Sequence, residues 1–294
     1  CNATVVRWFI EKRGLAIGLT SSGASFGTFI FPPLAAALIS AYGWRHAYLL
    51  LGVVAVTVIG ACATFTVRDP EKMGLFPDGI APTLTPTPVG APPASFANDW
   101  TLAEAKRTRS FLLLNIVFTL TWLVVFMPMV HIVPFAVDLG IPQFRAAMTI
   151  SVIGFAGFMG RLFIGTISDR IGRVPTLGLC FFLQALGFTG FAFSTGLASL
   201  YSAAAIFGLA YGGVTALFPA LIGDFYGRTS VGSIAGFIFA ISGSPAAFGP
   251  LIAGYLYAVS GRYDTAFLLS AALNLVALML LFFLKKPTRA TTPA

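Results

Sequence analysis

Arg161 stands inside an apolar run, within "GFMGRLFIGTISDRIGR" (Gly157–Arg173). Its guanidinium presents N–H donors in a planar fork that matches a carboxylate. A charge at the centre of a bilayer costs about 2.5–3.5 kcal/mol even on the mild insertion scale, and such residues face a water-filled path or an opposite charge. Arg161 precedes Asp169 by eight positions. That is roughly 12 Å of helix at 1.5 Å per residue, deep enough to make snorkelling to the interface hard. No Asp or Glu lies in the interior of an apolar span. The chemistry that fits is capture of a carboxylate carried by a ligand; the competing reading is a pair with an acid from sequence upstream.

Other polar and aromatic residues share these surroundings. Asn115 can hydrogen-bond a ligand or a neighbouring helix. His131, near the outer end of its span, suits either a proton-linked role or an interfacial histidine. Trp122 lies mid-span, outside the belts where Trp usually sits, and either walls a cavity or fills core. No H-E-x-x-H, P-loop or paired-Cys pattern occurs, and His46 and His131 fall at different outer ends. The sequence therefore predicts no enzyme, no metal site and no cofactor. Cys1, Cys62 and Cys180 have no paired spacing.

The elements that must position these residues are membrane helices. Hydrophobic residues make up 57% of the 294 and charged residues 10%, with a mean hydropathy of +0.89. A soluble domain carries about 25% charged residues. The apolar runs lack the strict alternation of barrel strands and are long enough to cross a hydrocarbon core of about 30 Å as helices. The expected fold is an all-α polytopic membrane protein with spans at about 14–39, 46–67, 110–136, 146–167, 175–194, 197–222, 231–258 and 264–284. Pro128, Pro134, Pro219, Pro245 and Pro250 mark expected kinks. Residues 1–10, "CNATVVRWFI", read as the tail of a further span, and no signal-peptide n-region precedes them. The chain is thus expected to be a fragment whose upstream helices are missing.

Charge gives orientation. With the loop after the 146–167 span in the cytoplasm, most Lys and Arg residues lie on that side, and only Arg45, Arg145 and Arg262 lie opposite. This positive-inside bias accounts for the net charge of +8 without nucleic acid, for which no aromatic–basic platform is present. Residues 68–109 contain "DGIAPTLTPTPVGAPPASFANDW", polar and proline-rich, and are expected to be a flexible cytoplasmic linker. It would separate the end of an N-terminal bundle (1–67) from a C-terminal six-helix bundle (110–284), with 285–294 a cytoplasmic tail.

At this point the motifs carry a family resemblance. "GTISDRIGR" (Gly165–Arg173) resembles the cytoplasmic G-x-L-x-D-R-x-G-R signature of the major facilitator superfamily. "RWFIEKRGLAIGLTSSGASFG" (Arg7–Gly27) resembles the entry to helix five in its monocarboxylate transporter and oxalate–formate antiporter branch. "HIVPFAVDLGI" (His131–Ile141) looks like the end of helix seven there, and "AGYLYAVSGRYDTAF" (Ala253–Phe267) like the loop between helices eleven and twelve. The resemblance covers essentially the whole chain. It implies a twelve-helix bundle of which this chain holds the tail of helix four and helices five to twelve, with helices one to four as missing partners.

The resemblance also implies roles. Thr215 and Phe218, on helix ten, match positions that line the substrate path; read alone they would be packing residues. Gly165, Asp169, Arg170, Gly172 and Arg173 would form a cytoplasmic gating motif. Asp169 would meet the positive N-terminus of the helix starting near Arg13–Ala16, Gly165 would allow tight approach and Gly172 a turn. A solvated positive-inside turn is the plain alternative. Monocarboxylate transporters often carry an Asp linked to proton coupling one helical turn before the arginine, where this chain has Gly157, and the oxalate antiporter has a second membrane cation on helix eleven, which the 231–258 span lacks. One cation suits one carboxylate. The expected function is a secondary active transporter in the plasma membrane (the inner membrane of a bacterium). It would move a small monocarboxylate-type organic anion by alternating access. Alternatives are an oxalate/formate-like dicarboxylate antiporter, a non-transporting sensor or an inactive truncated remnant.

Overall fold

Backbone groups in lipid find no water, so a spanning segment must pair them internally, as helices do. In the computed structural model the apolar runs are helical, and no strand occurs among the described residues. The structure describes Trp8 and residues 13–67, 70–75, 100–227 and 230–288. The rest of the expected span tail at 1–10, most of the expected linker and the end of the expected cytoplasmic tail lie outside the described residues.

The helices are α1 (Arg13–Phe65), α2 (Leu102–Ala105), α3 (Arg109–Val125), α4 (Met127–Asp138), α5 (Gln143–Ile171), α6 (Arg173–Ala192), α7 (Leu197–Tyr226), α8 (Val231–Gly243), α9 (Phe248–Ser260) and α10 (Asp264–Leu281). Short 3-10 turns cover Pro70–Met73 and Ser244–Ala247. α1 holds the two expected spans 14–39 and 46–67 as two helices that meet at a kink. The interval between the expected spans 14–39 and 46–67 is helical except at Gly43, with φ 74° and ψ 161°. The apolar part Leu19–Phe65 has 47 residues. Laid straight it would measure about 70 Å, more than twice the hydrocarbon core, so a change of direction is obligatory. Glycine supplies it because only a residue without Cβ adopts that φ at little cost.

Two other spans are broken. The expected 110–136 helix divides at Phe126, immediately before Met127 and Pro128. The expected 231–258 helix divides at the 3-10 turn Ser244–Ala247, whose second residue is Pro245. Proline lacks the N–H that would continue the ladder, so the helix restarts at it. The two breaks are neighbours: Gly249 of α9 lies against the carbonyl of Leu123 on α3.

The last residues of the expected linker differ from a loose chain. Thr101 and Glu104 form a capping box, with the Glu104 carboxylate accepting from the Thr101 backbone N–H at 2.8 Å. Trp100 donates its backbone N–H to the Tyr226 carbonyl at 2.9 Å, and Lys106 sits 3.6 Å above the Phe237 ring. These contacts tie the entry of the C-terminal bundle to the inner ends of α7 and α8.

Beside an apolar core that includes Phe188, Phe191, Phe207 and Phe267, the interior holds a close glycine seam. α5 is packed on α7 through Gly157, Gly160, Gly208 and Gly212. A Cβ at Gly160 would strike the Leu209 carbonyl oxygen, and one at Gly212 the Gly157 carbonyl oxygen. α1 leans on α5 at Gly154, where a Cβ would stand 2.6 Å from the Phe29 backbone nitrogen. Small residues let helix backbones meet where lipid provides no hydrophobic drive between helices.

Candidate functional site

Arg161 is 7% exposed. Its Nε donates to Thr215 Oγ1 at 3.0 Å, and its Nη1 donates to Ser25 Oγ. Thr215 donates its own hydroxyl to the Gly212 carbonyl at 2.8 Å, which leaves an oxygen lone pair for the guanidinium. α1, α5 and α7 therefore each supply one member of the cluster. A guanidinium has five N–H donors, and these two bonds use two of them. Among the described residues no carboxylate lies within ion-pair distance of it. A buried cation in that state is costly unless something anionic meets it.

Phe218 follows Thr215 by three positions and shares its face of α7. Its ring stands 4.9 Å from Trp122 and 4.8 Å from Phe118, both on α3. Trp122 is 8% exposed and also meets Phe239 of α8 at 5.1 Å. The expected residues Arg161, Thr215, Phe218 and Trp122 thus fall into a polar head and an aromatic wall joined through one turn of α7.

Asn115 and His131 are engaged elsewhere. Asn115 donates to the Phe111 carbonyl at 2.8 Å, and its Oδ1 and backbone carbonyl accept from Ser242 Oγ at 3.3 and 3.0 Å. That is the interhelical bond, between α3 and α8, of the two readings open from sequence. His131 Nε2 lies 2.9 Å from the Pro250 carbonyl, which requires the proton on that nitrogen, and its ring stands 5.4 Å from Tyr263. It fastens α4 to α9.

At the inner end, Gly172 (φ 95°) closes α5 and opens α6. Arg173 bonds Asp169 Oδ1 at 2.7 Å, Asp224 Oδ2 at 3.4 Å and the Ser168 hydroxyl. Arg170 is exposed. The expected partner of Asp169, the helix start at Arg13–Ala16, has side chains outside the described residues. Among the described residues a Cβ at Gly165 would meet nothing within 4 Å, so the close approach expected there is not made to any of them. Among the described residues α5 meets its neighbours most closely deeper in the bilayer, at Gly154, Gly157 and Gly160. Sequence reasoning missed Ser25, Ser242 and Asp224. A signal existed for the last, an acid at the inner end of a span in "GDFYGR"; a serine in a membrane helix has none.

Seven helices among the described residues are long and apolar enough to cross a membrane. With a buried guanidinium at a three-helix junction and a charged inner turn, they define a multi-pass helical membrane protein with an internal polar site. The sequence profile of the Major Facilitator Superfamily matches residues 1–250 and 160–294, and the chain belongs to that superfamily. It is 30% identical over 301 residues to monocarboxylate transporter 12-B of Danio rerio, covering 95% of this chain and 62% of that protein. It is 28% identical over 299 residues to monocarboxylate transporter 12 of Homo sapiens, covering 96% and 58%. It is 27% identical over 282 residues to the oxalate:formate antiporter of Oxalobacter formigenes, covering 95% and 64%. The chain therefore spans about three fifths of these relatives. The crystal structure of the E. coli fucose:proton symporter superposes with a TM-score of 0.63 at 15% identity, covering 97% of this chain and 72% of that one, a likeness of fold.

Proposed function

We propose that this chain is part of a secondary transporter that carries a small organic anion with one carboxylate by alternating access between two helical halves. The observation that supports it most is Arg161, buried at a helix junction, held by two hydroxyls and facing no described carboxylate. The planar fork binds the substrate carboxylate, Thr215 holds the fork in place, and Phe218 with Trp122 receives the apolar body. Relatives named as monocarboxylate transporters support the substrate class. A second reading, exchange of a dicarboxylate, is favoured by the relative named oxalate:formate antiporter. The test is inhibition of labelled-anion uptake into proteoliposomes of the full-length carrier by a series of mono- and dicarboxylates. Competition by monocarboxylates is expected; competition by dicarboxylates alone would transfer the assignment to the second reading.

Phe218→Ala opens the aromatic wall and leaves Arg161 in place. In the same assay it is expected to admit bulkier monocarboxylates while neutral analogues stay excluded. Unchanged discrimination against bulkier monocarboxylates would place Phe218 outside the site.

Asp169 serves as half of a cytoplasmic latch. Its side chain is 64% exposed and paired with Arg173, so it is placed to exchange that partner for the N-terminus of α1 as the inner side closes. Asp169→Asn is expected to shift the equilibrium toward inward-open by about 1 kcal/mol, the scale of one helix-terminus interaction. Labelling of single cysteines on the inner face should rise; unchanged labelling removes the latch.

A further inference from the structure

Ser25 lies on α1 at 3% exposure, and its oxygen accepts from the terminal Nη1 of Arg161. The terminal nitrogens are the part of the fork that grips a carboxylate side by side. Ser22, one turn earlier and equally buried, donates its hydroxyl to the Leu19 carbonyl of its own helix at 2.6 Å. Of these two buried serines only Ser25 crosses to α5. It reaches because the seam is built of glycine: a Cβ at Gly157 would stand 3.2 Å from Ser25 Oγ, and Gly154 lies against Thr28 and Phe29 of α1. Phe29 and Phe155, with ring centres 5.7 Å apart, flank the same contact.

We propose that Ser25 is an internal stand-in for a substrate carboxylate oxygen: its hydroxyl holds Nη1 of Arg161 while α1 is docked on α5, and an arriving organic anion replaces it and unfastens the two helices. This rests on the reading of Arg161 as the anion's anchor. The exchange moves no proton. Arg161 stays charged, Ser25 keeps its hydroxyl hydrogen, and the carboxylate arrives ionised. It runs toward the anion because a bond from a guanidinium to a carboxylate is stronger than one to a neutral hydroxyl. After it, α1 still packs on α5 at Gly154 and through the Phe29–Phe155 ring pair. The substrate thus releases the seam by taking a bond that the seam was using, and its apparent affinity is lowered by the fraction of carriers in which Ser25 holds the fork.

The experiment measures binding of acetate, L-lactate and benzoate to the full-length carrier, wild type against Ser25→Ala, with Ser22→Ala as control. Ser25→Ala is expected to tighten the best-bound probe about 3- to 10-fold, and Ser22→Ala to leave it unchanged. A second readout is disulfide formation between cysteines placed at Phe29 and Phe155. It should fall when the probe is added to the wild-type background and should be low from the start with Ser25→Ala. Arg161→Gln separates the two levels of the argument. If it abolishes binding while Ser25→Ala leaves both affinity and cross-linking at wild-type values, the stand-in is overturned and the anchor stands. If none of the probes binds the wild type, or binding survives Arg161→Gln, the anchor itself is overturned.

Discussion

Arg161→Lys in the full-length carrier lowers monocarboxylate uptake about 10- to 100-fold, the range set by one or two charge-assisted hydrogen bonds. The substitution keeps the positive charge and removes the planar fork. At present Nε and Nη1 bond Thr215 and Ser25 on two different helices. An ammonium on a flexible stem presents its donors from a single point and cannot stay on the Thr215 hydroxyl while meeting a carboxylate side by side. The measurement is initial uptake rate against concentration in proteoliposomes, with the thermal melt of the purified variant recorded beside it. Loss of transport with an unchanged melt is the expected pair of results. Wild-type uptake at unchanged affinity overturns the carboxylate role.

The second large effect is structural. Gly212→Val is expected to destabilise the purified protein by about 1–3 kcal/mol, the usual cost of overpacking, and to lower its melting temperature in detergent by several degrees. The new Cβ would strike the Gly157 carbonyl oxygen and stand 2.7 Å from the Gly157 carbonyl carbon. Both are backbone of a packed helix and cannot swing aside as a side chain would. Gly232→Ala on α8 is the control, because a Cβ there meets nothing within 4 Å. Equal melting of both variants would show that the α5–α7 seam is more compliant than its geometry implies. The same substitution lies three positions before Thr215, so transport by whatever Gly212→Val protein survives should fall as well.

The positions of the spans were legible because burial in lipid demands long apolar runs, and Arg161 stood out because a charge inside one is expensive. Thr215 and Phe218 came from resemblance alone, and the structure sets them beside Arg161 and Trp122. The breaks at Phe126 and Ser244–Ala247 were foreshadowed by Pro128 and Pro245, but a proline in a membrane helix kinks it or is absorbed by its neighbours, and sequence does not say which. Gly43 was hidden for a related reason: hydropathy marks where two spans lie, not how little chain joins them. The seam was written in "GFAGFMG" and "GLAYGG" as small residues three and four apart. Attention went to Gly165 instead, a glycine inside a conspicuous charged motif. Ser25 was beyond reach, since a serine hydroxyl in a helix satisfies itself on its own backbone, as Ser22 does. Only the position of α1 against α5 reveals the exception.

Gly43 makes α1 a bent rod, not two rods on a string. A loop between the legs would absorb rotation of either one. A joint of a single residue leaves only its own φ and ψ to turn about, so most movements of one leg carry the other with them. The leg before Gly43 is pinned to α5 at Gly154 and Arg161, whereas the leg after it carries Tyr48, Leu49, Val53 and Val56 with most of their surface uncovered. If an arriving anion loosens the pinned leg from α5 as proposed, the leg beyond Gly43 moves with it, since one glycine joins the two.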